Sequence, residues 1–186
     1  MKYIITKSII IINFLMYVQL DCLTKLLSYY SVLRPVQVLE NGNYGQLIIS
    51  NISHSTLFHL LINMLSFYNF GKYFEQRLGS KRFSFLLLYF GLASKIIQVF
   101  ISFMQHYLCG YNYFYYSGSL GFSCIVFSLR YLYYFERNQQ RLLYGFLVKS
   151  KYIIWIELLL MTIAMPMSSF IGHLSGILAS MLLTCK

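Results

Sequence analysis

Gly121-Phe122-Ser123, within the stretch "SGSLGFSCIVFSLRYLYYF" from Ser117 to Phe135, has the G-x-S form that presents a nucleophilic serine. In water-soluble hydrolases this motif sits on a sharp turn between a strand and a helix. Here no buried strand is legible upstream, and an apolar helix follows. Three further residues, His173, His59 and Asn63, are of types capable of acyl-transfer chemistry. His59 and Asn63 are spaced i, i+4 and share a helical face.

Other chemistries fit less well. The carboxylates fall away from these groups, with Asp21 and Glu40 in one loop and Glu75, Glu136 and Glu157 at the opposite side, so a Ser-His dyad is expected rather than a Ser-His-Asp triad. A metallohydrolase is not expected, because H-E-x-x-H is absent and His54 and His59 are about 140° apart around a helix. Cys22, Cys109, Cys124 and Cys185 show no C-x-x-C spacing, so neither a metal nor any other cofactor is expected. Two facing intramembrane carboxylates, as an aspartyl protease would need, are also lacking. Glu157 is expected to pair with Arg130 or Lys95, or to reach an interface.

The elements that must position these groups are membrane helices. The chain has 186 residues, 58% hydrophobic, 19% aromatic and only 11% charged, too few solvating groups for a soluble domain. A spanning helix needs about 20 apolar residues. Six segments come near that length: 5–22, 55–71, 83–105, 118–136, 152–166 and 170–185. The reading is one all-α, polytopic domain over 1–186, with a turn at "PMSS" (Pro166 to Ser169) separating the last two spans. The first segment is read as a retained helix rather than a signal peptide, since no small-residue cleavage site follows it.

The formal charge of +10 is distributed in clusters between apolar runs, a pattern that argues against nucleic-acid binding. With the N-terminus in the cytosol, twelve of the fifteen Lys and Arg lie on the cytosolic side. Only Lys25 and Arg34 lie opposite, and Lys95 falls within the third span, so the positive-inside rule selects cytosolic termini. Ser123 is then expected about five residues into its span, or about 7 Å deep. His173, His59 and Asn63 fall in the same leaflet. Singly, a serine within a span often bonds its own helix and small residues such as Gly121 and Cys124 often serve packing, whereas an intramembrane histidine tends to mark function.

"HSTLFHLLINM" (His54 to Met64), "FEQRLGSKRF" (Phe74 to Phe83), "GFSCIVFSLR" (Gly121 to Arg130) and "SSFIGHLSGIL" (Ser169 to Leu178) together resemble the rhomboid intramembrane serine proteases over about residues 45–185. "WIELLL" from Trp155 resembles the endoplasmic-reticulum branch with a six-helix core. The resemblance implies Ser123 as nucleophile and His173 as base. Asn63 and His59, from the pattern that begins at His54, would form the oxyanion hole with the Ser123 amide. Gly121 would admit the substrate backbone, Gly176 would allow helix six to pack on helix four, and Phe127, where bacterial members often have Tyr, would stack on His173. The chain departs from the family at Cys124 and Ser180, where Gly is common, and lacks the Trp-Arg pair of the first loop.

These readings converge on a multi-pass protease of the endoplasmic-reticulum membrane. It would cut transmembrane protein substrates near the non-cytosolic ends of their helices, at a polar cavity beneath the first loop. The alternative is a proteolytically inactive relative that binds membrane clients for quality control.

Overall fold

In a computed structural model, residues 3–19, 24–137, 139–143, 145–165 and 168–185 are described. Asp21, Cys22, Pro166 and the terminal Lys2 and Lys186 lie outside them. The order of elements is α1 (Ile4–Gln19), α2 (Thr24–Ser31), α3 (Pro35–Asn41), α4 (Gln46–Ile52), α5 (Leu57–Leu78), α6 (Ser80–Cys109), α7 (Tyr113–Tyr116), α8 (Ser123–Arg137), β1 (Gln140–Leu143), β2 (Phe146–Lys149), α9 (Ser150–Ala164) and α10 (Phe170–Thr184).

The fold is mainly helical, as the apolar runs require. α1, α5, α6, α8, α9 and α10 coincide with the six expected segments. One of them, α6, is long and apolar enough to cross a membrane by itself, while α1 and α10 are shorter apolar helices. The helices bury Leu60, Phe67 and Phe74 of α5 against Phe83 and Phe90 of α6 and Ile125 and Leu129 of α8. A second cluster joins Phe127 and Tyr134 of α8 to Ile153, Ile154 and Leu158 of α9 and Ile177 of α10. Outward faces stay apolar: Leu65, Phe85 and Ile163 are 69%, 63% and 76% exposed. A surface of this kind suits acyl chains rather than water.

Two features add to the helical scheme. β1 and β2 form an antiparallel hairpin between α8 and α9, with Gln140 opposite Lys149. The segment between α1 and α5, expected as a loop, contains three short helices. Buried Gln46 ties them together: its Oε1 accepts from the Arg34 amide at 2.9 Å, and its Nε2 donates to the Tyr29 carbonyl at 3.1 Å and to Gln37 Oε1 at 2.5 Å.

The start of α8 corrects the expected span of 118–136. The helix begins at Ser123 itself, so Ser123 is its first residue rather than lying about five residues in. Before it, Ser119 pairs with Leu33 in an isolated antiparallel bridge, with amide-to-carbonyl distances of 2.8 and 2.9 Å. Gly121 then takes a φ of 117°, open to glycine and strained for other residues, and donates its amide to the Ser50 carbonyl at 2.8 Å. A sharp turn therefore precedes Ser123, with a single bridge in place of a strand. Irregular backbone of this kind survives inside a membrane bundle because other protein groups satisfy it.

Candidate active site

Three elements, α5, α8 and α10, carry the residues of the candidate site. α5 starts at an N-cap, Thr56, whose hydroxyl accepts from the His59 amide at 3.1 Å. The cap fixes the first turn of α5 and so places His59 and Asn63 beside Gly121. A methyl group built on Gly121 would stand 2.7 Å from His59 Cε1, 2.9 Å from its Nε2 and 3.9 Å from Asn63 Nδ2. Only a residue without a side chain lets these donors approach the backbone ahead of Ser123. Asn63 is buried and spends one N–H on the His59 carbonyl at 3.0 Å, which leaves its second N–H available. His54 is buried as well. It stands edge-on to His59 at 5.1 Å, and its Nε2 is the acceptor nearest the Phe122 amide, at the long limit of 3.5 Å.

α10 carries His173 four residues after its own N-cap, Ser169, whose hydroxyl accepts from the Gly172 amide at 3.0 Å. His173 is 2% exposed and stacks on Phe127 of α8, with centroids 4.5 Å apart and planes 19° apart. The expected stacking partner is thus in contact. α10 lies against α8 through Gly176, where a methyl group would meet the Cys124 carbonyl oxygen at 2.2 Å, and through the Ser128 hydroxyl, which donates to the Gly176 carbonyl at 2.7 Å. A methyl on Gly172 would reach Cys124 Sγ at 3.5 Å, so the residues flanking Ser123 and His173 are close neighbours. Ser123 is half-buried.

No carboxylate orients His173 among the described residues. Glu40 accepts from the Tyr115 hydroxyl, Glu75 from Thr6 and Ser80, Glu136 pairs with Arg77, and Glu157 holds Arg130 at 3.0 Å and the Tyr134 hydroxyl at 2.8 Å. Glu157 therefore takes Arg130, and Lys95 is left aside. Four buried polar atoms near this region, Ser50 Oγ, His54 Nδ1, Gln98 Oε1 and His173 Nδ1, have no partner in the described residues. A cavity of about 390 Å³ lies between α1, α4 and α6; its lining, including Ile9, Ile48 and Leu88, is mostly apolar, with Ser8, Asn51 and Ser84 as its polar members and no histidine. Among the described residues no group of His, Cys, Asp or Glu could hold a metal.

Gln98 had no place in the expected site. It is buried in α6, and its Nε2 donates to Ser119 Oγ at 2.6 Å and approaches Ser169 Oγ at 3.4 Å, joining the segments that lead into α8 and α10. The available signal is an amide three residues after Lys95 in a largely apolar span.

The fold and this cluster define a helical membrane-protein class in which Ser123 starts a helix, His59 and Asn63 of one neighbouring helix approach the glycine before it, and His173 of another stacks on Phe127 one turn after it. The Rhomboid domain matches residues 41–186. Rhomboid-related protein 4 of Rattus norvegicus is 29% identical over 158 residues, covering 84% of this chain and 50% of that protein. Rhomboid-like protein 14, mitochondrial, of Arabidopsis thaliana is 27% identical over 181 residues, covering 96% of this chain and 54% of that protein. Rhomboid-like protein 15 of the same plant is 28% identical, covering 94% and 44%. The chain belongs to the rhomboid family, and it spans about half the length of these relatives.

Proposed function

We propose that this protein is an intramembrane serine protease that cleaves transmembrane protein substrates with a Ser123–His173 dyad. The observation that carries this reading is the convergence of His59 and Asn63 on Gly121, and of His173 on Phe127, around the helix that Ser123 begins. Ser123 Oγ attacks the scissile carbonyl carbon while its proton passes to His173. The carbonyl oxygen becomes an oxyanion facing the donors of His59, Asn63 and the Ser123 amide. Collapse breaks the C–N bond, His173 returns the proton to the leaving amine, and water then hydrolyses the acyl-enzyme ester with His173 again as base.

A substrate helix hides its peptide groups in internal hydrogen bonds. Substrates with Gly, Pro or polar residues near the non-cytosolic end unwind most readily there and are the preferred class. Six spans, cytosolic termini and residence in the endoplasmic reticulum belong to the same proposal. They are supported by the six apolar helical segments, the distribution of Lys and Arg, and the "WIELLL" resemblance.

The test is labelling of purified protein with a serine-directed fluorophosphonate, together with cleavage of a membrane-anchored reporter. Wild type labels and cleaves. Ser123→Ala and His173→Ala each lose cleavage while retaining expression and nearly unchanged melting temperature. Turnover by Ser123→Ala overturns the dyad. A wild-type protein that neither labels nor cleaves but retains membrane clients supports the inactive, client-binding reading.

A further inference from the structure

Lys95 is 1% exposed, in the middle of α6, fifteen residues after Ser80 and fourteen before Cys109. Its ammonium has no hydrogen bond or ion pair among the described residues, where the ion pairs are Arg77–Glu136 and Arg130–Glu157. The four described carboxylates are held by other groups, and the fifth acid, Asp21, lies outside the described residues. A charge left unpaired inside a bundle is costly, and such residues in membrane helices tend to bind or conduct something.

The register of two antiparallel helices fixes the height of Lys95. Gln98 of α6 approaches Ser169 at the start of α10, and the Tyr89 hydroxyl of α6 donates to the Ala179 carbonyl further along α10. Descending from the first tie, Lys95 lies three residues below Gln98, about 5 Å along the axis. Gly172 and His173 lie three and four residues below Ser169, so Lys95 and His173 are level. Lys95 is also within electrostatic reach of both His59 and His173. The other cation facing His173, Arg130, is neutralised by Glu157.

We propose that Lys95 is a carboxylate-binding subsite beside His59 and His173, and that it recognises an aspartate or glutamate side chain carried by a transmembrane substrate helix. Lys95 lies about 5 Å below the start of α10, level with His173 and enclosed by the bundle at 1% exposure, where a side chain of an inserted helix is the carboxylate source that fits. An acid in that substrate helix is itself costly in lipid, and pairing removes both penalties at once with a charge-assisted hydrogen bond. The subsite gives the proposed protease its substrate class and rests on that reading for its biological meaning, but binding can be measured without cleavage.

The experiment uses full-length Ser123→Ala protein in phosphatidylcholine nanodiscs. It compares two single-span peptides identical except for Glu or Gln in the half of the helix nearest the non-cytosolic end. The Glu peptide binds at least about tenfold more tightly, the scale of one charge-assisted hydrogen bond. Lys95→Met, which puts an apolar chain of similar length in the same space, removes the difference, and Lys95→Arg keeps it. Equal affinity for the two peptides, absence of binding, or a preference that survives Lys95→Met overturns the subsite. Loss of the preference on adding phosphatidylserine also overturns it, by assigning Lys95 to a headgroup. A preserved preference in protein whose wild-type form takes no fluorophosphonate label would end the protease reading and leave the subsite standing.

Discussion

At the scale of single residues, the candidate site depends on groups whose donors are held in place before a substrate arrives. Asn63 shows how this is done: one N–H is anchored to the His59 carbonyl one turn back, and the amide plane is thereby oriented beside Gly121. Asn63→Ala removes the second donor but also opens a void in a packed interface, so loss of activity alone does not separate the two effects. Asn63→Asp keeps the shape and turns the amide into a carboxylate that repels an oxyanion. The expected outcome is a kcat for Asn63→Asp at least as low as for Asn63→Ala, with losses of about 10²–10³ as for other oxyanion donors. Its melting temperature stays closer to wild type. Near-full kcat for Asn63→Asp at neutral pH would make Asn63 structural and leave the oxyanion to His59 and backbone amides.

At the scale of elements, the contact of α8 with α10 brings Ser123 and His173 into one neighbourhood, and Gly176 sets its distance. A methyl at Gly176 would strike a backbone oxygen, Cys124 O, at 2.2 Å, and backbone cannot rotate away. The same methyl at Gly91 on α6 would meet the mobile end of Ile125 at 3.4 Å. Gly176→Ala is therefore expected to destabilise by about 2–3 kcal/mol and to separate the helices, whereas Gly91→Ala stays near wild type. Thermal unfolding in detergent, paired with fluorophosphonate labelling rates, distinguishes the two; equal melting temperatures would show that α10 slides without cost. Cys124, where relatives often have Gly, fits because its side chain points past Gly172 while its backbone receives Gly176. Near α7, burial and then the Glu40 carboxylate push the Tyr115 phenol up to about 12. It remains a donor to Glu40 at any physiological pH, tying the segment before Ser123 to α3.

For the whole molecule, legibility in the sequence followed the length over which a physical signal accumulates. Apolar runs of about 20 residues average over many positions, and all six have helical counterparts. The three helices between α1 and α5 span only seven or eight residues each, and their order comes from Gln46 and the Leu33–Ser119 bridge, long-range ties that no local window contains. The start of α8 was misplaced because hydropathy does not register a positive φ at Gly121. His59, Asn63 and Gly121 are legible from type and spacing and Phe127 from the family resemblance, while Gln98 and Lys95 become meaningful only when α10 lies alongside them. Orientation is the remaining global property, and it is proposed from charge: along the sequence twelve Lys and Arg fall in the clusters expected in the cytosol, against two between α1 and α5. A glycosylation acceptor introduced near exposed Asn112, between α6 and α7, is expected to be modified in microsomes, and one near exposed Gln139, before β1, is expected to remain bare. The reverse pattern would turn the Ser123 end of α8 toward the cytosol, and substrates would then be cut at the opposite ends of their helices.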